Sequence, residues 1–324
     1  MKEKKSVKSL LAAIFRKSEM GAVIPLIVLL LVAACVNPSF ISIRNISDIL
    51  RTAAYSLMIA VPITFLMAEG QLDLSIGATT SLGGVVCVMA MVKGCPMILS
   101  IILGILAGTA VGILNGILVV KYDLPAFIAT LGMQYSINGL ISIVTGNKQI
   151  TGVPDVFKSI SQTRIGGVLS IVLIYALIIC IIGHIVLTRT KFGRNTLAVG
   201  GNRETARLAG VNVKKMQILV FAAVGFLAAL TGVLLASRFA SAQPSAGSGT
   251  ELTIMASVII GGTSMFGGNG TVVGSAIGCI LFAMISNALI LMGIPSYWQN
   301  LIFGIVLILA IFIDGYRQKA ARRA

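Results

Sequence analysis

Long apolar runs recur through the whole chain and constrain its fold more than any other feature. A helix that crosses a membrane needs about 20 mostly apolar residues, and 57% of these 324 residues are hydrophobic while 11% are charged. The runs lie at residues 20–36, 52–68, 74–92, 96–120, 124–144, 166–187, 215–237, 251–262, 270–292 and 297–313. The sequence therefore predicts an all-α polytopic membrane protein with about ten transmembrane helices.

The positive charges lie between the apolar runs and predict an orientation. Cytoplasmic loops of membrane proteins carry an excess of lysine and arginine. Six cations precede Met20, four follow Asp314, one is Lys121 and seven lie in loop 188–215. Placing all of these inside puts both termini in the cytoplasm, for a multi-pass protein of the cytoplasmic membrane. The net charge of +15 does not indicate a nucleic-acid partner, because the cations are not interleaved with aromatic residues.

The cationic loop 188–215 contains a pattern typical of a short exposed helix. Asn202 suits the N-cap, and Glu204 would lie in the first turn, where a carboxylate complements the helix dipole. Gly210 can end the helix in the left-handed conformation. A short helix displayed to the cytoplasm predicts a contact with another protein.

No motif for catalysis or for cofactor binding stands out. The run 267–270 has the glycines of a phosphate loop but lacks its Lys-Ser/Thr ending. The five cysteines have no CxxC spacing, and His184 is the single histidine. We therefore expect no enzyme activity and no cofactor on this chain, so energy from ATP would have to come from another protein.

An internal repeat divides the chain into two related parts. Residues 73–84 match residues 251–262, and in each part an acid is followed by Leu, a hydroxyl residue and Ile. Glycines at every fourth position follow each copy, at 104–116 and at 270–278. Since the copies begin the third and eighth predicted spans, an odd offset predicts two inverted five-helix halves.

Asp73 and Glu251 begin the two copies of this repeat. We expect them at equivalent positions in the two halves, on opposite sides of the bilayer. Two roles remain open for each. A carboxylate in a first turn can cap the helix, which we favour, and it can also accept hydrogen bonds from the hydroxyl groups of a transported substrate.

Several stretches resemble the permease subunit of ribose-type sugar ABC importers. They are GQLDLSIG (70–77), PAFIATLGM (125–133), GRNTLAVGGNRETARLAGV (193–211), the long run 241–274 and the closing stretch 297–314. The resemblance covers nearly the whole chain. It implies a fold like that of the vitamin B12 permease, with a pore between two permease copies that are identical or related.

The same resemblance implies the partners of the chain. They are a cytoplasmic ABC ATPase subunit that binds ATP and Mg, an extracellular or periplasmic sugar-binding protein, a second permease copy, and membrane lipid. Residues 204–210 are similar to the EAA loop of ABC importer permeases, with Thr205 in place of the middle alanine. The residues expected to couple to the ATPase are Arg194, Asn202, Glu204, Thr205, Ala206, Arg207, Leu208 and Gly210.

The sequence departs from the family before its acidic motif, where two glycines are usual and Glu69-Gly70-Gln71 stands instead. Glu69 and Gln71 could tune substrate choice, although we favour solvated residues at a span end. The candidate residues of the substrate path are Glu69, Gln71, Asp73, Ser75, Asn115 and Glu251.

The expected organisation follows from these patterns. A cytoplasmic basic segment (1–19) precedes a first transmembrane half (20–145), an extracellular loop (146–165), a second half (166–313) and a basic tail (314–324). Two alternatives remain open, an ABC permease for nucleosides or branched-chain amino acids and an ion-coupled secondary transporter. The second would need intramembrane ion sites, for which only Asp73 and Glu251 are candidates.

Overall fold

Helices form almost the entire fold. The computed structural model describes residues 20–321. Within this range the helices are α1 (Met20–Val36), α2 (Ile43–Ala68), α3 (Ile76–Val92), α4 (Met97–Val120), α5 (Ala126–Thr145), α6 (Asp155–Gln162), α7 (Ile171–Arg189), α8 (Lys191–Gly201), α9 (Arg203–Leu208), α10 (Val213–Phe239), α11 (Thr250–Ile260), α12 (Val272–Leu291) and α13 (Ser296–Ala321). A 3-10 turn (Pro38–Ile41) and a small hairpin of β1 (Arg164–Ile165) and β2 (Leu169–Ser170) complete the elements.

The apolar helices agree with the prediction of a polytopic membrane protein. Within the described part of the chain, each of the ten predicted runs coincides with a helix. Six helices are long and apolar enough to cross a membrane: α2, α4, α5, α7, α10 and α12. The apolar parts of α1, α3, α11 and α13 are shorter. The basic segment 1–19 and the last residues, 322–324, lie outside the described residues.

Close backbone contacts hold α10 against α3 and α4 at the centre of the fold. A Cβ atom added to Gly84 would lie 2.8 Å from the carbonyl oxygen of Gly232, and one added to Gly108 would lie 2.8 Å from that of Gly225. Such distances are too short for a side chain. The glycines at every fourth position therefore let helices approach closely in lipid.

The two copies of the repeat meet inside the bundle. The first turn of α3 contacts the loop before α11, because Gly77 lies against the backbone of Gly247 and against the Glu251 carboxylate. The N–H of Gly247 also donates to the Ser81 hydroxyl over 3.0 Å. Gly83 packs on Ala229, near the middle of α10, so α3 and α11 both begin within the bundle.

From this meeting point α3 and α11 run to opposite ends of the bundle. Val92, at the end of α3, lies near Gly152, and the adjacent Ile150 pairs with Ala242 just beyond the end of α10. The turn after α11 instead contacts Ala68 and Gly200, on the side where α10 begins. The opposed directions agree with the repeat.

The prediction that Asp73 and Glu251 lie on opposite sides of the bilayer is wrong. The Glu251 carboxylate touches Gly77, four residues beyond Asp73, whereas a bilayer core is about 30 Å thick. The physical reason is that each repeat helix follows a non-helical stretch that has already entered the bundle. The helix starts therefore lie inside and not at the membrane surfaces.

Candidate functional site

The predicted short helix after Asn202 is present as α9. The Asn202 side chain accepts a hydrogen bond from the N–H of Thr205 over 3.0 Å, and Glu204 lies in the first turn. Gly210 adopts a left-handed conformation with φ of 84° just beyond the helix. Asn202 therefore caps α9, Glu204 lies in its first turn and Gly210 follows its end, as the sequence predicted.

Helix α9 is anchored by one side and presents the other to solvent. Ala206 is buried against Val199 and Met216, while the other residues of 201–210 are exposed. Leu208 is 78% exposed, so this face also presents a large apolar side chain. Glu204 and Arg207 form an exposed ion pair of 2.7 Å, which contributes little to stability. The exposed face is thus available to a partner.

The sequence did not predict α8, which joins α7 to α9 within the cationic loop. The Thr190 side chain caps it by accepting from the N–H of Gly193 over 3.2 Å. Arg194 is exposed on this helix, apart from α9. Near its end, Gly200 packs so tightly on the carbonyl oxygen of Ala68 that no side chain would fit. Helix α8 therefore connects the exposed helix to the end of α2.

A buried network of hydrogen bonds surrounds Asp73. Its Oδ1 accepts from the N–H of Ser75 over 2.8 Å and from the Ser75 hydroxyl over 2.7 Å. The Asn115 amide donates to Asp73 Oδ2 over 3.2 Å and to Ser75 Oγ over 2.8 Å. All three residues are at most 1% exposed. The carboxylate thus forms an Asx turn with Ser75, the residue before α3, instead of the helix cap that we favoured, because no side chain caps the first turn of α3.

Glu251 is held differently. Its Oε1 accepts a hydrogen bond of 3.0 Å from the Gln134 amide of α5, while its Oε2 is buried beside Gly77 without a hydrogen-bond partner among the described residues. Leu252, the next residue, is 50% exposed. A carboxylate with one free oxygen can accept one further hydrogen bond, and this oxygen is enclosed against Gly77.

Glu69 and Gln71 are not the solvated residues that we favoured. Their exposed fractions are 1% and 7%. The chain turns inward after α2, and Gly70 packs near the backbone oxygen of Phe266. Glu69 lies one residue beyond the membrane-spanning helix α2, and burial raises its pKa to about 8, although the positive charge of Arg203 opposes part of that rise. Tertiary contacts that the local sequence does not encode cause this burial.

The six candidate path residues thus fall into three places. The structure brings Asp73, Ser75 and Asn115 together, leaves Glu251 at the neighbouring helix start, and puts Glu69 and Gln71 near the end of α2. Sequence reasoning missed Gln134 and also Thr130, whose hydroxyl accepts from the N–H of Leu74 over 3.0 Å. An amide inside a predicted span is the signal that could have identified Gln134.

Comparisons with known proteins agree that the chain is similar to permease components of transport systems. The family model described as "Branched-chain amino acid transport system / permease component" matches residues 45–311. The ribose import permease protein of Haemophilus influenzae is 36% identical over 92% of this chain and 93% of its own length. That of Bacillus subtilis is 35% identical over 94% of both chains. An L-arabinose ABC transporter permease of Azospirillum brasilense is 33% identical over 93% of this chain and 89% of its own. No solved structure matches the chain.

Proposed function

We propose a function from the premise that this chain belongs to the family of permease components of the branched-chain amino acid transport system type. We infer that it is the transmembrane permease of a binding-protein-dependent ABC importer, and that it moves a monosaccharide such as ribose across the cytoplasmic membrane. The observation that carries this inference is the near full-length similarity to permeases that are named for ribose and arabinose.

The proposed importer needs partners that supply energy and cargo. A cytoplasmic ATPase subunit would bind ATP and Mg, and this chain would bind no cofactor of its own. A sugar-binding protein would dock on the extracellular loops 37–48, 146–165, 238–250 and 293–299. The charges near loops 37–48 and 146–165 support that docking. The single carboxylate of Asp48 pairs with two cations, Arg51 at 3.3 Å and Arg164 at 3.1 Å. The unbalanced positive charge there suits an acidic surface.

We propose that ten helices cross the membrane as two inverted halves, with a fold like that of the vitamin B12 permease. The opposed directions of α3 and α11 support this arrangement. The halves would be residues 20–145 and 166–313, joined through the extracellular loop 146–165, with residues 1–19, loop 188–215 and residues 314–324 in the cytoplasm. Six long apolar helices are compatible with it, and the shorter α3 and α11 would span the membrane together with their preceding loops.

In the proposed mechanism, ATP binding closes the ATPase dimer and moves α9. The exposed Leu208 and the charged pair Glu204–Arg207 form the contact surface. Because α9 lies between α7–α8 and α10, its motion reaches two of the long apolar helices. The sugar then crosses between two permease copies through a site of low affinity, since release must follow entry.

An exposed face of α5 supports the pairing with a second permease copy. Gly132 and Gly139 have open space where a Cβ atom would stand, and Ser136 between them is exposed. Small residues in this spacing let two helices pack in lipid. Gln134 of the same helix holds Glu251, so the path proposed for the sugar runs beside this face.

Uptake assays test the proposed function. Cells that lack their own pentose importers, and that express this chain with its ATPase and binding protein, are expected to accumulate labelled ribose or arabinose in an ATP-dependent way. Cells with an ATPase that cannot hydrolyse ATP are the control. Uptake of a nucleoside or of leucine, with no sugar taken up, would instead establish one of the alternative cargoes.

The two repeat acids are expected to respond differently to loss of charge. In Asp73→Asn the amide oxygen can still accept the hydrogen bonds from Ser75, so stability should change little and uptake should stay within about twofold. In Glu251→Gln the free acceptor beside the path is lost, and uptake should fall about tenfold or more at equal expression. The measurement is initial uptake rate against sugar concentration. Equal losses in both variants would contradict separate roles.

The proposed orientation predicts which loops an impermeant thiol reagent can reach. Single cysteines at Ser6 and Asn202 are expected to label only after the cells are opened, because the positive charges near both sites hold them inside. A cysteine at Ser245 should label in intact cells. Labelling of Asn202→Cys from outside would overturn the orientation.

A further inference from the structure

Glu69 is a buried carboxyl group that nothing in the proposed mechanism uses. It is 1% exposed, and neither of its carboxylate oxygens has a hydrogen-bond partner among the described residues. An unpaired buried carboxylate is costly, since the group either stays protonated or finds a cation. Glu69 is therefore poised to change its charge if a cation approaches.

The surroundings of Glu69 connect it to the exposed helix α9. The preceding residue, Ala68, accepts a hydrogen bond of 2.9 Å from the N–H of Gly268, and Gly200 of α8 packs on the same carbonyl oxygen. The end of α2, the end of α8 and the loop after α11 thus meet beside Glu69. Gly200 and Gly267 leave no room for a side chain at these contacts. A shift of α8 and α9 cannot occur without displacing these neighbours.

Arg203 is the cation nearest in the chain to the place where Gly200 packs beside Glu69. It is the first residue of α9, only three positions after Gly200. Its charge already acts on the Glu69 carboxyl, yet no hydrogen bond joins the two, and Arg203 forms no ion pair within residues 20–321. By contrast, Arg207 of the same helix is paired with Glu204. Within residues 20–321 the structure therefore holds an unpaired carboxyl where α2 meets Gly200, and a guanidinium without an ion pair three residues beyond Gly200.

We propose that Arg203 and Glu69 form an ion pair when the ATPase moves α9, so that Glu69 is a positioning residue which transmits this motion to α2. The inference rests on the proposed coupling role of α9. In the state described here the carboxyl keeps its proton and the pair is open. When Arg203 closes on it, the proton leaves to water and the carboxylate accepts from the guanidinium. A charge-assisted pair at a buried site would then hold the moved helix in place.

A double-mutant cycle in the complete transporter tests this pair. The permease is reconstituted in proteoliposomes with its ATPase and binding protein, and ATP-driven sugar uptake is measured for Glu69→Gln, Arg203→Gln and the double variant. Each single variant is expected to lose uptake by about tenfold, and the double variant is expected to lose no more than either. Lys215→Gln removes another exposed cation of the same loop and is the matched control.

Infrared difference spectra provide a readout that a merely structural role would not change. Addition of ATP and vanadate should remove a protonated-carboxyl band in the original protein and in Lys215→Gln. The change should be absent in Glu69→Gln and Arg203→Gln. Additive losses in the cycle, or the same band change in Arg203→Gln, would overturn the pair. If Glu204→Trp also transports normally, then the coupling role of α9 itself fails, which separates the two conclusions.

Discussion

Replacing Glu204 with tryptophan is expected to abolish binding-protein-dependent sugar uptake without reducing the amount of permease in the membrane. Glu204 lies in the first turn of α9, 63% of its side chain is exposed, and its only described partner is Arg207. A bulky residue there removes no internal support and obstructs the face offered to the ATPase. Co-purification of the ATPase should weaken together with uptake.

Substituting Gly210 is expected to have the same outcome for a different reason. Its φ of 84° is rarely adopted by residues with a side chain, so Gly210→Trp strains the end of α9 and misplaces its exposed face. Lys215→Trp, at an exposed site after the next cap, serves as the control for bulk. Normal uptake by both Glu204→Trp and Gly210→Trp would mean that the loop serves only as a cytoplasmic anchor.

Replacing Gly232 with valine is expected to prevent stable folding. A Cβ atom at Gly232 would overlap the carbonyl oxygen of Thr80, so α3 and α10 would have to separate. Overpacking of this kind typically costs about 1–3 kcal/mol and sometimes more, and here backbone cannot move aside as a flexible side chain could. The measurement is the yield and the thermal unfolding midpoint of the purified protein.

Gly304→Val provides the comparison for this prediction. Gly304 lies on an exposed face of α13, and a Cβ atom there would meet nothing within 4 Å. We expect yield and unfolding midpoint close to those of the original protein. If both valine variants behaved alike, the crossing of α3 and α10 would not limit stability.

The positions of the apolar helices could be predicted because hydropathy and helix-ending residues act through the local sequence. The first run, 20–36, coincides with α1, and most other limits agree within a few residues. The start of α2 at Ile43 was placed too late, because polar residues such as Asn45 and Asp48 interrupt the apolar pattern. Helix α8 was missed for a related reason, since it is amphipathic and lies outside any span.

The functional residues divide in the same way. Asn202 and Gly210 act through their own local backbone, so their roles could be predicted. The burial of Glu69 and the hydrogen bond from Gln134 to Glu251 depend on segments far apart in sequence. The repeat revealed that Asp73 and Glu251 are related, but their depth depends on how loops 69–75 and 240–249 enter the bundle.

The meeting of α3 and α11 in the interior also determines the electric field there. Each helix start carries about half an elementary positive charge, so together they bring about one such charge to the centre. Asp73 and Glu251 are the acids placed beside it. The two helix starts thus offset about half of the two negative charges that Asp73 and Glu251 carry when ionised, so the centre offers no well for an anion. A substrate that reaches this centre is therefore expected to be neutral or positively charged, which agrees with the proposed import of an uncharged sugar.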